Sequence, residues 1–261
     1  MAGMSIASPM PASPSPPAHS SLEFDDALDQ IEHYRTYPEM KLWVGTGFSA
    51  RSLKLLVVGE SHYLPPEDQF HLDIGGWYAR SAVPPGRLGW VRTRAIIQNG
   101  INNRWKGRAK VIYRNIETAL AASSAFGDGS AQVFARIAFM NFFQRPAEVS
   151  GDSIKVSNQD AEVANTVFQA VVHVLKPTAV VFVSSKASHH AKSGGSHAFL
   201  DAMGIGFARA PHPATAWWHR ASPRYGNVTG KAHFIAFANK AAAADGQRCG
   251  VPLARLPSDL G

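Results

Sequence analysis

Apolar residues in this chain gather in short runs that end in polar groups. Leu55-Leu56-Val57-Val58 runs into Gly59-Glu60-Ser61-His62-Tyr63, and Ile137-Ala138-Phe139-Met140 runs into Asn141. Gly206-Phe207-Ala208-Arg209-Ala210-Pro211 opens into His212-Pro213, and Ala179 to Val183 is a valine-rich run. Runs of this length with β-branched residues read as buried strands, predicted near 54–58, 137–141, 179–183 and 207–210. Helical spacing fills the intervals. Phe24, Ala27, Leu28, Ile31 and Tyr34 predict one helix over 21–37, capped by Ser21 and stopped by Pro38. One or two helices are expected within 80–116, broken at Asn102-Asn103, with further helix over 115–122 and a loop at Phe126 to Ser130. Ala161, Ala164, Val167, Phe168, Val171 and Leu175 form the apolar face of a helix capped near Ser157 or Asn158 and ended by Lys176-Pro177. Helices over 184–192, 197–203 and 231–244 complete the pattern. Strands alternating with helices predict an α/β fold with a parallel sheet. Open parallel sheets bind ligands at the carboxyl edge, where these polar groups are released.

Length and composition add bounds. The 261 residues suit one domain, placed at 22–244, between disordered tails at 1–21 and 245–261. No apolar run reaches the roughly 18 residues of a membrane span. Met1 to Ser21 is rich in Pro, Ser and Ala and lacks the basic and apolar regions of a secretory signal. A cytoplasmic monomer without a membrane partner is the expectation. The only cysteine, Cys249, lies in the expected tail, which leaves no disulfide framework and no cysteine metal site. His189, His190 and His197 lack tight ligand spacing, so neither metal nor organic cofactor is expected.

Charge changes the picture. The formal net charge is +7, yet Arg80, Arg87, Arg92, Arg94, Arg104, Lys106, Arg108, Lys110 and Arg114 fall within 80–116 with no acidic residue among them. Trp77, Tyr78, Trp90, Trp105 and Tyr113 are interleaved. Such a tract is either a solvated face with inward aromatics or a nucleic-acid surface, in which cations meet phosphates and rings stack on bases. In the second case Arg92, Arg94, Arg104, Lys106 and Arg108 are the expected DNA contacts.

The order Gly59-Glu60-Ser61-His62-Tyr63, Asn141, Leu175 to Ala187, then His212-Pro213-Ala214-Thr215 resembles the uracil-DNA glycosylase superfamily over roughly residues 52 to 240. The resemblance implies a three-layer sandwich around a central four-stranded parallel sheet. It implies that a target base is flipped into a pocket and cut from its sugar, with charge on the leaving base met by fixed donors. His212 would donate to the carbonyl oxygen of the leaving pyrimidine, and Asn141 would read the base edge. Tyr63 would stand beside the base, and the backbone of Gly59 to Ser61 would contact it or hold water. Trp217 and Trp218 occupy the place where the family inserts an apolar wedge into DNA. Well-known members carry Asp where this chain has Ser61, so Glu60 and His62 are the candidates for the water-activating group. With no clear lysine nucleophile, the expected reaction is monofunctional.

Two rivals stay open. A non-catalytic binder of DNA or RNA could keep the fold and have lost the chemistry. A hydrolase of another class could use the Gly59–Tyr63 loop, which partly mimics a nucleophile elbow but lacks its closing Gly.

Overall fold

A computed structural model describes residues 19–127 and 132–249, with the side chains of Arg108 and of residues 245–249 outside the description. Its centre is a sheet of five strands: β1 (Trp43–Val44), β2 (Leu55–Gly59), β3 (Ala138–Asn141), β4 (Ala179–Phe182) and β5 (Gly206–Arg209), in the order β1-β3-β2-β4-β5. β2, β3, β4 and β5 pair in parallel, in the places the apolar runs predict. β1 adds an antiparallel edge against β3. Two residues are too short to show a period, so β1 leaves no trace in the sequence pattern.

Both faces of the sheet are buried, which is why its strands read as continuous apolar runs. Leu56, Val58, Ala138, Met140, Val180 and Phe182 face one core. It is closed by the helix Asn158–Leu175 through Ala164, Val167, Phe168 and Val171, and by Ala187 and Leu200 of the helices Ser185–Ser193 and Ser196–Ala202. Leu55, Val57, Phe139, Ala179 and Val181 face the other core. The helices Thr93–Asn102, Val111–Ala121 and Gly230–Cys249 close that side.

The Asn158–Leu175 helix begins in a capping box. Ser157 accepts from the Asp160 N–H, and the Asp160 carboxylate accepts from the Ser157 N–H. The same carboxylate takes Arg145 Nε at 2.9 Å, Arg145 Nη2 at 2.8 Å and the Tyr78 hydroxyl at 2.8 Å. Arg145 and Asp160 are both fully buried, and Glu148 takes a further bond from Arg145 at 2.8 Å. The helix ends at Lys176, left-handed at φ 47°, before Pro177.

Three expectations need correction. The helix expected over 21–37 is two short ones, Asp25–Leu28 and Glu32–Thr36, separated where Ile31 turns extended. Ser21 caps neither, because its Oγ accepts from the Glu23 N–H at 3.1 Å, ahead of the first helix, and its own N–H donates to Val44 O at 2.7 Å. The break lets Leu28, Ile31, Tyr34 and Tyr37 all reach the core, and tertiary packing overrides the helical period. The amino-terminal tail expected to Ser21 is also too long, since Ser20 already pairs with Gly45. At the other end the last helix continues through 245 to Cys249. The remainder of both expected tails, 1–18 and 250–261, and part of the loop expected to Ser130 lie outside the described residues.

Candidate functional site

Parallel pairing sets Gly59 beside Asn141 at the ends of β2 and β3. β4 releases Val183 and Ser184 at the same edge, and β5 leads through Ala210 to His212. β2 connects toward β3 on one side and β4 connects toward β5 on the other. The gap between β2 and β4 is therefore the switch point at which such sheets open a crevice. Glu60 spans that gap, accepting from the Ser184 hydroxyl at 2.6 Å and from the Ser153 hydroxyl.

A cavity of about 350 Å³ lies here, within the usual range of small-molecule sites. Gly59, Glu60, Ser61, His62, Tyr63, Asn141 and His212 all line it, with Tyr113, Phe139, Ile96 and Val183 as apolar walls. A Cβ on residue 59 would lie 2.5 Å from Asn141 Oδ1 and 3.0 Å from the Phe139 ring, so glycine is what lets the Asn141 amide rest over the strand end. The loop after β2 is tied to the chain after β3 by Phe143 N–H to Glu60 O and Ala147 N–H to His62 O, both 2.9 Å. Ser61 Oγ is buried and makes no hydrogen bond among the described residues.

His212 is held from several directions. Ala210 N–H donates to Phe182 O at 2.8 Å, Asn115 donates to Pro213 O at 2.7 Å, and the Thr215 N–H and hydroxyl both donate to His212 O. The Ala214 N–H reaches His212 Nδ1 at 3.3 Å. An N–H can only donate, so Nδ1 is the acceptor and the ring proton sits on Nε2. Burial lowers the pKa of this imidazole and Glu60 raises it, with a net downward shift that keeps the ring neutral at pH 7.

His62 has a different environment. It is 5 % exposed, its Nε2 lies 3.1 Å from Thr93 Oγ1, and burial pushes its pKa down to about 4. Its ring braces the loop, which leaves Glu60 as the acidic group on the cavity wall. Burial, Glu60 and Asp152 together raise the Tyr63 pKa, so its phenol stays protonated.

A second cleft of about 530 Å³ adjoins the first and shares Glu60 and His212 with it. Its other walls include Ser153, Ser184, Ser185, Thr215, Arg224 and Trp217. Trp217 is 56 % exposed, whereas Trp218 is fully buried against Phe234 at 5.4 Å between ring centroids. Trp218 is therefore a core residue, a correction to its expected place as a DNA wedge.

The basic tract divides. Arg94 makes paired bonds to Asp25 at 2.8 and 2.6 Å and a third to Leu42 O, so its fork is used inside the fold and not on DNA. Arg80 pairs with Glu39 and Arg87 with Asp68. These acidic partners come from outside the tract and could not be seen in its local composition. Arg92, Arg104 and Lys106 are exposed, with no ion pair among the described residues. The Arg108 side chain is outside the described residues. Of the interleaved aromatics, Trp77, Trp105 and Tyr113 are buried, and Trp90 is 58 % exposed on the rim of the first cavity.

Sequence reasoning missed Lys110 and Trp90 as wall residues and Ser153 and Ser184 as supports of Glu60. Lys110 was hidden among its basic neighbours, and a serine near a strand end carries no pattern of its own. His190 and His197 pack edge-on or tilted against Phe143 and against Phe182 and Phe207. No protein-family model matches this chain, and no curated protein does.

Proposed function

We propose that this chain is a DNA base-excision hydrolase of the uracil-DNA glycosylase type. One observation carries the reading: the Gly59–Tyr63 loop, Asn141 and His212 line a single aromatic-walled cavity at the carboxyl edge of a parallel sheet. In this reading β2 to β5 are the superfamily's central four-stranded sheet in a three-layer sandwich, and β1 is an added edge. A flipped base lies against Tyr63, Tyr113 and Phe139. The Asn141 amide reads its edge with both a donor and an acceptor, and Ser61 Oγ finds a partner in the base or a water. His212 donates Nε2–H to the base oxygen on which negative charge grows as the bond to the sugar breaks. Glu60, held by two serine hydroxyls, stabilises the sugar cation or takes a proton from the attacking water. The adjoining cleft, with hydroxyls and the Arg224 cation, takes the sugar–phosphate chain.

Ser61 is the feature that favours a non-catalytic binder, because a hydroxyl does not replace the family Asp. Glu60, one residue earlier and on the wall of both cavities, favours catalysis. The test is purified protein on single- and double-stranded oligonucleotides containing uracil, followed by alkali. Alkali-labile breaks at the uracil are expected. DNA binding without base release from a panel of deaminated and damaged bases would replace this reading with that of a binder.

A further inference from the structure

Of the six tryptophans, Trp43, Trp77, Trp105 and Trp218 are buried. The two exposed ones stand on the two adjoining cavities, Trp90 on the first and Trp217 on the second. A single exposed apolar side chain is ordinary on a protein surface. Trp90 differs because the fold holds it out at the mouth of the base cavity. It belongs to a short 3-10 helix, Arg87–Val91. Leu88 and Val91, one turn apart, are both sunk in the core. Arg87 is paired with Asp68, so the segment is tied at its start as well. The ring is therefore presented from a fixed backbone. Among the described residues no other ring stacks on it. Gly89 beside it is exposed, and a Cβ there would meet nothing within 4 Å, so the space next to the ring is open. Arg92, just beyond, is exposed and has no ion pair among the described residues.

We infer that Trp90 is a stacking platform for an unpaired base next to the flipped nucleotide, and that the strand this site takes is single-stranded. The inference rests on the base-excision reading, in which the cavity takes the flipped base. Every base has a π-face, so an open indole stacks on whichever base is offered. In a duplex each base already has neighbours on both faces and a partner on its edge, and a ring at a cavity mouth finds no free face. In a single strand the neighbour of the flipped nucleotide has one to give. Such a strand also spares the unpairing energy that extrusion from a duplex costs. The free Arg92 guanidinium next to the ring suits the phosphate that joins the two nucleotides.

The experiment uses strands without uracil, so it needs no base release. Anisotropy titrations compare oligothymidylate, a strand of abasic spacers with the same number of phosphates, and an undamaged duplex of equal length. The parent protein should bind oligothymidylate more tightly than the duplex. Trp90→Ala should weaken binding to oligothymidylate by about 5- to 150-fold, the size of losing one base–aromatic stack. Trp90→Phe, which keeps a ring, should lose less. Binding of Trp90→Ala to the abasic strand should stay at the parent level, which also shows that the variant folds and keeps its phosphate contacts. Unchanged affinity of Trp90→Ala for oligothymidylate, an equal loss on the abasic strand, or a parent preference for duplex overturns the inference. A concentration-dependent dimer that Trp90→Ala abolishes, with oligothymidylate binding unchanged, would assign the ring to a second copy of the chain and overturn it too. Uracil release with no effect of Trp90→Ala on binding would leave the proposed function standing and this inference refuted. The expected loss on oligothymidylate without uracil release from any substrate would keep the ring as a platform for an unpaired strand and refute base excision.

Discussion

His212 can act as a donor because its other nitrogen is already occupied. The Ala214 N–H fixes the tautomer, so Nε2–H is the atom presented to a substrate. Under the proposed function, His212→Ala slows single-turnover release of uracil by about 10²–10³-fold, the size of losing one donor to a developing oxyanion. Unchanged release would mean that the chemistry lies elsewhere. Two other histidines govern stability. Burial pushes the pKa of His62 down to about 4 and that of His33 to about 3, against about 6.5 in an unfolded chain. Above that unfolded value both states are neutral and the histidines contribute no pH dependence. As the pH falls below it, the unfolded chain binds protons that the folded chain refuses. Stability then drops by about 1.4 kcal/mol per pH unit for each histidine, through about pH 4 for His62 and further for His33. Urea unfolding from about pH 7 to about pH 5 measures the slope. A flat profile would show that these rings are hydrated in the folded state.

At the scale of elements, the site loops depend on a bond network beneath them. Arg145 and Asp160 join the chain after β3 to the first turn of the Asn158–Leu175 helix, and that chain in turn holds the Glu60 and His62 carbonyls. Asp160→Ala strands a buried guanidinium and removes the capping box together. It should destabilise the fold by about 3–5 kcal/mol in chemical unfolding; a loss below about 1 kcal/mol would mean the pair is open to water. This network also marks the limit of what the sequence shows. The four parallel strands were legible because burial on both faces leaves continuous apolar runs, and Ser157 was legible because a cap is a local signal. Glu60, Asn141 and His212 were legible because each directly follows or ends such a run. The Arg145–Asp160 pair, the Arg94–Asp25 pair and the place of Lys110 join residues far apart in the chain, and no spacing rule reaches them. Trp217 and Trp218 differ in fate although adjacent, because the turn after His212 aims one ring at solvent and the other at Phe234.

For the whole molecule, under the proposed function, a net charge of +7 sets the expected behaviour with nucleic acid. Reversing Arg92, Arg104 and Lys106 together should weaken DNA binding alike on all sequences and flatten its dependence on salt, because fewer counterions are released. Filter-binding or anisotropy titrations across salt concentrations measure both; an unchanged slope would leave these side chains as a solvated face. Arg94→Glu should act instead through unfolding, since it sets a new anion against Asp25. The sheet also limits which residues can stand at the site. Asn141 Oδ1 occupies the space a methyl group on residue 59 would need, on neighbouring strands paired in register. A side chain at 59 would therefore oblige Asn141 to swing its amide off the end of β2, so the bare backbone at 59 is what keeps that amide parked at the cavity wall.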